Sequence, residues 1–340
     1  PLPMASDKIA NAPERGYFSI FTGRKGPGSL ADPAAGLLNK QKKNWPVLGE
    51  GYAALEKSLT RQIDGGKWRV HIQCNPRRMV SSGAKLDPES IERRPCFLCP
   101  ENLPAEQEAI LYRDNYHILC NPAPIFPGHL TIAAIRHTPQ SLLENIESLL
   151  LLADDFGPGT TVFYNGPRAG ASAPDHLHFQ AAPCGFMPIE EEALAAPGQR
   201  TGARVMDGVE IFGTRGLARG VLVISGGCDS AVISTLERIF AVLDGRLTFD
   251  EGEPPLNIFC SRIAEGWRLL IFPRLKHRPD AFFREGRDKL VLSPGAADMG
   301  GVIIAPREGD FSALTAAMVA DIYREVAFDD AMVGEVLTRL

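Results

Sequence analysis

The segment Ala173-Pro-Asp-His-Leu-His-Phe-Gln180 constrains this chain more than any other. Polar and apolar residues alternate along it, and side chains at i, i+2 and i+4 of a strand share a face. A strand here turns His176, His178 and Gln180 to one side and Leu177 and Phe179 to the core. Two imidazoles and an amide ranked together suit phosphoryl chemistry. A neutral imidazole attacks phosphorus while its other nitrogen is held by a hydrogen bond, and neighbouring donors neutralise the oxygens. The plainer reading is a half-exposed strand with two incidental histidines. The loop before it weighs against that: Asn165-Gly-Pro-Arg-Ala-Gly-Ala-Ser172 offers backbone N–H groups, Gly170 among them, with Ser172 and Asn165 as side-chain donors.

Around this segment the chain alternates short strands with helices. Residues 1–35 read as an extended arm, and 37–57 as helical and turn-like with Trp45 and Tyr52 as anchors. Period-two patterns predict strands at 68–73, 116–120, 130–133 and 161–164. Leu142, Leu143, Ile146, Leu149 and Leu150 predict an amphipathic helix over 139–154. Residues 185–202, with the run Glu190-Glu-Glu192, read as a solvated connection. Beyond it come a strand at 221–224, a helix at 230–243, strands at 267–272 and 302–305, and a terminal helix from Ser312. Sliding the chain by 140 residues sets Ile118 on Ile258, Cys120 on Cys260, Leu130 on Leu270 and His137 on His277, the pattern of a duplication. In that frame His178 falls on Met318, so the second copy carries no counterpart of the histidine pair.

Composition removes several classes of function. A chain of 340 residues, 44% hydrophobic and 23% charged, is globular, with length for two domains or one duplicated one. Its 36 basic and 41 acidic residues include no Lys/Arg-dense run, which argues against nucleic acid as a partner. No apolar stretch approaches the roughly 20 residues that cross a bilayer, and no secretory signal is evident. Seven thinly spread cysteines argue for a reducing compartment, and a cytoplasmic chain is expected.

Only Cys96 and Cys99 are close enough to share a task. The CxxC spacing supplies half a zinc site, with His117, His129, His137 and His176 as candidates for the rest. Two buried free thiols fit the same spacing. A redox pair does not, since Pro100-Glu-Asn-Leu-Pro104 is a turn where a thioredoxin-like setting needs a helix.

The His-Leu-His-Phe-Gln strand with its Gly-Ala-Ser-Ala-Pro approach resembles the active-site strand of the histidine triad superfamily. The resemblance is to the branch of galactose-1-phosphate uridylyltransferase, diadenosine tetraphosphate phosphorylase and GDP-L-galactose phosphorylase. Asn121-Pro-Ala-Pro-Ile-Phe-Pro-Gly-His-Leu-Thr-Ile132, ending in Arg136-His137, is similar to the strand-loop-strand before it. Trp267–Arg274 and Pro294–Gly301 resemble the degenerate second half, so the likeness covers roughly residues 70 to 310. It implies ping-pong nucleotidyl transfer, with His178 as the nucleophile that carries the nucleotide and Gln180 as the amide that holds its phosphate. It further implies that Cys96, Cys99, His137 and His176 bind a structural zinc. Arg77, Arg78 and Lys85 are candidates for the departing or accepting phosphate. Two departures stand out. Asp175 occupies a position where the diadenosine phosphorylases usually have histidine, and one extra residue separates Ser172 from the histidine pair relative to the uridylyltransferase.

The expected fold is α+β: two histidine-triad-like halves, 1–200 and 201–340, each an antiparallel sheet with flanking helices, only the N-terminal half catalytically intact. The expected function is a nucleotidyltransferase or phosphorylase that cleaves a nucleoside diphosphate sugar or dinucleoside polyphosphate at the α-phosphate. Phosphate or a sugar phosphate is its second substrate, and no membrane partner is expected. The alternatives are a nucleotide hydrolase of the same superfamily and a non-catalytic nucleotide-binding protein.

Overall fold

The structure, a computed structural model, describes residues 16–23, 29–194, 197–246 and 252–340. Fourteen strands form among them: β1 Ser19–Phe21, β2 Leu59–Asp64, β3 Arg69–Cys74, β4 Ala109–Tyr112, β5 Tyr116–Cys120, β6 Leu130–Ala134 and β7 Thr160–Asn165, then β8 His178–Pro183, β9 Arg200–Met206, β10 Val209–Thr214, β11 Leu222–Gly226, β12 Leu256–Ile263, β13 Gly266–Pro273 and β14 Val302–Ala305. Eleven of them pair in the order β1-β4-β5-β6-β8-β7-β12-β13-β11-β10-β9, and β14-β3-β2 make a second sheet. Only the β1–β4 edge of the large sheet is parallel.

That order is a duplication. Each half runs three strands, a helix and two strands: β4, β5, β6, helix Ile146–Phe156, β7, β8, then β9, β10, β11, helix Asp229–Asp244, β12, β13. The halves meet at the β7–β12 seam, where Phe163 faces Phe259. Topology therefore makes β8 and β13 equivalents, and β5 and β6 the equivalents of β10 and β11. The 140-residue slide is corrected by this, because it sets β5 on β12 and β6 on β13. Four of the residues that suggested it, Ile118, Cys120, Ile258 and Cys260, are fully buried. Buried strands read as apolar runs wherever they sit in a repeat. β13 has no histidine, so the second half still lacks a counterpart of His178.

Helices cover one face of the large sheet. Leu149 and Leu150, Leu236 and Ile239, and Val336 and Leu337 belong to the same core as Ile132, Phe179, Ile224 and Leu269. The small sheet and helix Ala316–Val326 share the core of the other face with Phe163, Phe259, Leu270 and Phe272. On that second face β8 presents His178 and Gln180, paired in register with Ala133 and Thr131 of β6, and there a cavity opens.

Three local expectations differ from the structure. The helix predicted from 139 begins at Ile146, after a 3-10 turn at Leu143–Asn145, because Gln140 is buried and bonded to the end of β7 and the start of β8. The single terminal helix is three: Glu308–Ala313, Ala316–Val326 and Asp330–Arg339. Thr315 and Asp329 cap the second and third by accepting the N–H of Met318 and Met332. The connection after 185 is not simply solvated, since Glu192 accepts the Arg69 N–H at 2.8 Å and Glu190 that of Gly185 at 2.7 Å. Much of the expected N-terminal arm, residues 1–15 and 24–28, lies outside the described residues, while helix Ala31–Asn44 begins within it. No helix among the described residues is long and apolar enough to cross a membrane.

Candidate active site

β8 starts at His178, so His178 and Gln180 share its cavity face while Leu177 and Phe179 enter the helix-side core. His176 does not lie on the strand, as the alternation suggested. It sits in the turn before it, its N–H donated to Ala173 O at 3.3 Å. This separates the two imidazoles into different surroundings.

The His178 ring is oriented by its own turn. Nδ1–H donates to the His176 carbonyl at 2.8 Å, which leaves the Nε2 lone pair unprotonated. Burial lowers the ring's pKa to about 4, against the opposing pull of that same hydrogen bond, so the imidazole is neutral. The backbone beneath it is clamped by Gln140. The Gln140 Oε1 accepts the His178 N–H at 2.7 Å, and its Nε2 donates to the carbonyls of His178 at 3.0 Å and Asn165 at 2.8 Å. Here the amide side chain fills the gap where β7 and β8 stop pairing, beyond Phe163–Gln180. Nothing in the local pattern marks Gln140, because its partners come from two other strands.

Gln180 is oriented from behind. His129 Nδ1 accepts the Ile125 N–H at 3.2 Å, so its proton resides on Nε2 and is donated to Gln180 Oε1 at 2.7 Å. Burial first, then the nearby Arg78, lowers the His129 pKa to about 3 and keeps that ring neutral. With its oxygen taken, Gln180 presents its NH2 group to the cavity, as a phosphate requires.

The cavity is large, about 980 Å³, and both halves line it. Of the sequence candidates, Ser172, Asn165, Gly170, Arg77 and Arg78 line it with His178 and Gln180. Lys85 is exposed and is not among the lining residues. Arg77 is paired with Glu50 at 2.9 Å, and Arg78 donates to Ala123 O at 3.2 Å while its Nε is buried without a partner. The loop's N–H groups are less open than the sequence suggests: Ala169 and Ala171 donate to Gly166 O, and Gly170 donates to His277 Nδ1. Gly170 has φ +95°, and a Cβ there would meet Gly295 Cα at 2.4 Å, so the loop packs directly on the second half. Asn165 Oδ1 accepts from Ala296 N–H at 2.6 Å and Asn257 Nδ2 at 2.9 Å, tying the same two parts together. Arg94 was no candidate. It lines the cavity, donates to Ser172 O at 3.1 Å and Asp175 at 3.0 Å, and lies 5.3 Å from the ring of the half-exposed Phe97.

Cys96, Cys99, His137 and His176 converge, one donor atom from each lying within 4.8 Å of all the others. His176 Nδ1 is 3.3 Å from Cys96 Sγ and 3.5 Å from Cys99 Sγ, and His137 Nδ1 is 3.1 Å from Cys99 Sγ. A tetrahedral zinc about 2.3 Å from sulfur and about 2.0 Å from nitrogen sets its ligands about 3.3–3.8 Å apart. The donor set and its spacing fit such an ion. His176 Nε2–H donates to Ala134 O at 2.7 Å, which leaves Nδ1 as the ligating nitrogen, and His137 Nε2 faces Asp175 at 3.7 Å. Burial first and the Cys96 sulfur second push the Cys99 thiol upward, a cost that a bound cation reverses by taking the thiolate. All seven cysteines are free thiols, and this cluster is the group of metal-ligating side chains found among the described residues.

Residues 37–183 match a family model described as a domain of unknown function, DUF4922. No curated protein matches the chain in sequence. The crystal structure of yeast Ap4A phosphorylase Apa2 superposes with a TM-score of 0.59 at 15% identity, covering 88% of this chain and 97% of that one. The yeast enzyme in complex with AMP gives a TM-score of 0.52 at 14% identity, covering 86% and 97% of the two chains. In complex with Ap4A it gives 0.51 at 15% identity, covering 86% and 98%. At these identities the likeness is one of architecture, and it agrees with the duplicated topology read from the sheet. The chain therefore shares the fold of yeast Ap4A phosphorylase, an α+β architecture in which the large sheet is built from two halves of matching topology.

Proposed function

We propose that the chain is a nucleotidyltransferase of the phosphorylase type, with a nucleoside diphosphate sugar or dinucleoside polyphosphate as donor. The observation that carries this is the orientation of His178, whose Nδ1–H is held by the His176 carbonyl while Gln180, on the same face, turns its NH2 group to the cavity. In the first step His178 Nε2 attacks the α-phosphorus. A P–N bond forms, the bond from phosphorus to the bridging oxygen breaks, and the departing sugar phosphate or nucleoside polyphosphate keeps the electron pair. In the second step an oxygen of inorganic phosphate or a sugar phosphate attacks the same phosphorus, and the P–N electrons return to His178. Gln180 holds non-bridging oxygens in both steps, with Ser172 and the cavity arginines Arg77 and Arg78 as further partners. The apolar lining that includes Trp45, Val47, Phe97 and Leu98 suits a nucleobase. Zinc on Cys96, Cys99, His137 and His176 gives structural support, joining the Cys96–Cys99 loop to the ends of β6 and β8. The free thiols fit a reducing, cytoplasmic setting.

Incubation with a panel of nucleotide sugars and dinucleoside polyphosphates, followed by intact-protein mass spectrometry, is the test. The expected result is a single nucleotidyl adduct on His178, stable to alkali and lost in mild acid. Nucleotide release that requires added phosphate is expected, and release to water alone would make the chain a hydrolase. An adduct on another residue, or none with any donor, refutes the proposal.

A further inference from the structure

The second half has no catalytic histidine, yet it supplies part of the cavity wall through His277, Ser293 and the segment Gly295–Asp298. His277 Nδ1 accepts the Gly170 N–H at 3.5 Å, which assigns the ring proton to Nε2. Burial first, and then Arg274 and Arg278, lower its pKa to about 3, so the ring is neutral. Nε2–H then donates to Ser293 Oγ at 3.2 Å, and Arg278 Nε–H donates to the same oxygen at 2.9 Å. Arg278 is itself fixed by donating to Ser82 O and Ala84 O. A serine hydroxyl has two acceptor sites and one proton. With both acceptor sites filled, one by a guanidinium, Ser293 has its proton left to give, and the donors behind it strengthen that proton as a hydrogen-bond donor. The acceptor it suits is an anionic oxygen. Asp298, which lines the cavity from the same half, does not serve, since its two carboxylate oxygens accept the N–H groups of Gly295 and Ile304.

We infer that Ser293, held by His277 and Arg278, is the donor of a phosphoryl-oxygen subsite built by the second half, for the phosphate that leaves or later attacks the nucleotidyl group. The inference rests on the nucleotidyl-transfer reading of His178. In-line displacement sets nucleophile and leaving group on opposite sides of phosphorus. His178 and Gln180 come from the first half, and Ser293 lines the same cavity from the second half, where its hydroxyl is available to a departing or arriving phosphate beside Arg77 and Arg78.

Calorimetric titration of the full chain with the common nucleoside monophosphates, their diphosphates and inorganic phosphate tests this. A monophosphate probes the nucleotide site, whereas the added phosphate of a diphosphate, or free phosphate, probes Ser293. Ser293→Ala is expected to weaken a diphosphate, inorganic phosphate or both about tenfold or more, as for a hydrogen bond to a charged group, with the monophosphate within about twofold. Ser293→Thr, which keeps the hydroxyl, should stay within about threefold of the parent. Weakening confined to the diphosphate assigns the subsite to the departing group, and weakening confined to inorganic phosphate assigns it to the acceptor. Where Ser293→Ala fails to fold, Arg278→Gln withdraws one donor from the serine oxygen and should weaken the same ligands about threefold. Unchanged diphosphate and phosphate binding in a folded Ser293→Ala, or equal weakening of the monophosphate, overturns the inference. Phosphate binding that depends on Ser293 in a chain that binds no nucleotide upholds the subsite and refutes the nucleotidyl-transfer reading.

Discussion

β8 and β13 hold the same place in the two halves, and they differ on one face. Towards the helices both are apolar, with Phe179 and Ala181 on β8 and Trp267, Leu269 and Ile271 on β13. On the other side β13 presents Leu270 and Phe272 to the core under the small sheet and helix Ala316–Val326. β8 there presents His178 and Gln180, and the cavity replaces that cover. A strand that carries chemistry needs one face left unpacked, and its duplicate is then free to become core. The closed half adds core, and the open half leaves His178 and Gln180 facing the cavity.

The largest expected effect breaks this asymmetry at the open strand. His178→Gly removes the nitrogen proposed to attack, and turnover should fall by roughly four orders of magnitude or more, the scale seen when a covalent nucleophile is deleted. Adduct formation should vanish from mass spectra while circular dichroism and metal content stay as in the parent. Residual turnover within about tenfold of the parent would remove His178 from the nucleophile's role.

The matching change on the closed strand should do the opposite. Phe272 is fully buried and packs 5.4 Å from the ring of Phe259 beside the seam, so Phe272→Ala leaves a core cavity that costs about 3–5 kcal/mol. Denaturant unfolding measures that loss, and adduct yield per folded molecule should not move. Gln180→Ala is the mirror image, with lost transfer and a melting temperature near that of the parent. A Phe272→Ala chain as stable as the parent would show that the closed half is not the stabilising one.

The sequence states this contrast only in part. Period-two alternation marks His178 and Gln180 because both belong to one strand, and the fold class follows from the resemblance that this strand carries. The true repeat is hidden, since β5 and β12 are both buried and apolar and resemble each other more than either resembles its topological partner. Gln140, Arg94, His277 and Ser293 are illegible for a different reason. Each acquires its role from groups between 15 and 107 residues away, such as Arg278 for Ser293, Gly170 for His277 and Asp175 for Arg94, and no local period encodes that.

Metal removal sharpens the comparison further, because all four proposed ligands belong to the open half. About one zinc per chain is expected by elemental analysis. Saturating zinc should stabilise the chain by about 4 kcal/mol at a thousandfold excess over Kd, as mass action on the folded state requires. Chelation or Cys96→Ser should lower the melting temperature and open the first half to hydrogen exchange before the second. A metal-free chain that melts at the same temperature would show that the cluster is a pair of buried thiols beside two histidines.

The smallest effect concerns the strap between the halves. Glu253 lies just before β12, and its carboxylate accepts the Leu142 N–H at 2.6 Å and the Tyr164 hydroxyl, both in the first half. Burial, the largest influence, raises its pKa from 4.5 to about 7, outweighing the lowering by these hydrogen bonds and by Arg168. Between those two values the folded chain retains a proton that the unfolded chain has lost. Stability should therefore be fully present below pH 4.5, fall as pH rises towards 7, and level off above it. The Glu253 contribution to this slope is at most about 1.4 kcal/mol per pH unit. Glu253→Gln, neutral at every pH, should flatten that part of the curve while other groups keep theirs. Chemical denaturation from pH 5 to pH 8 on both chains measures the difference. If the two curves run parallel, or the parent gains stability relative to the variant as pH rises, the carboxyl is not held protonated and the strap is an ordinary ionised contact.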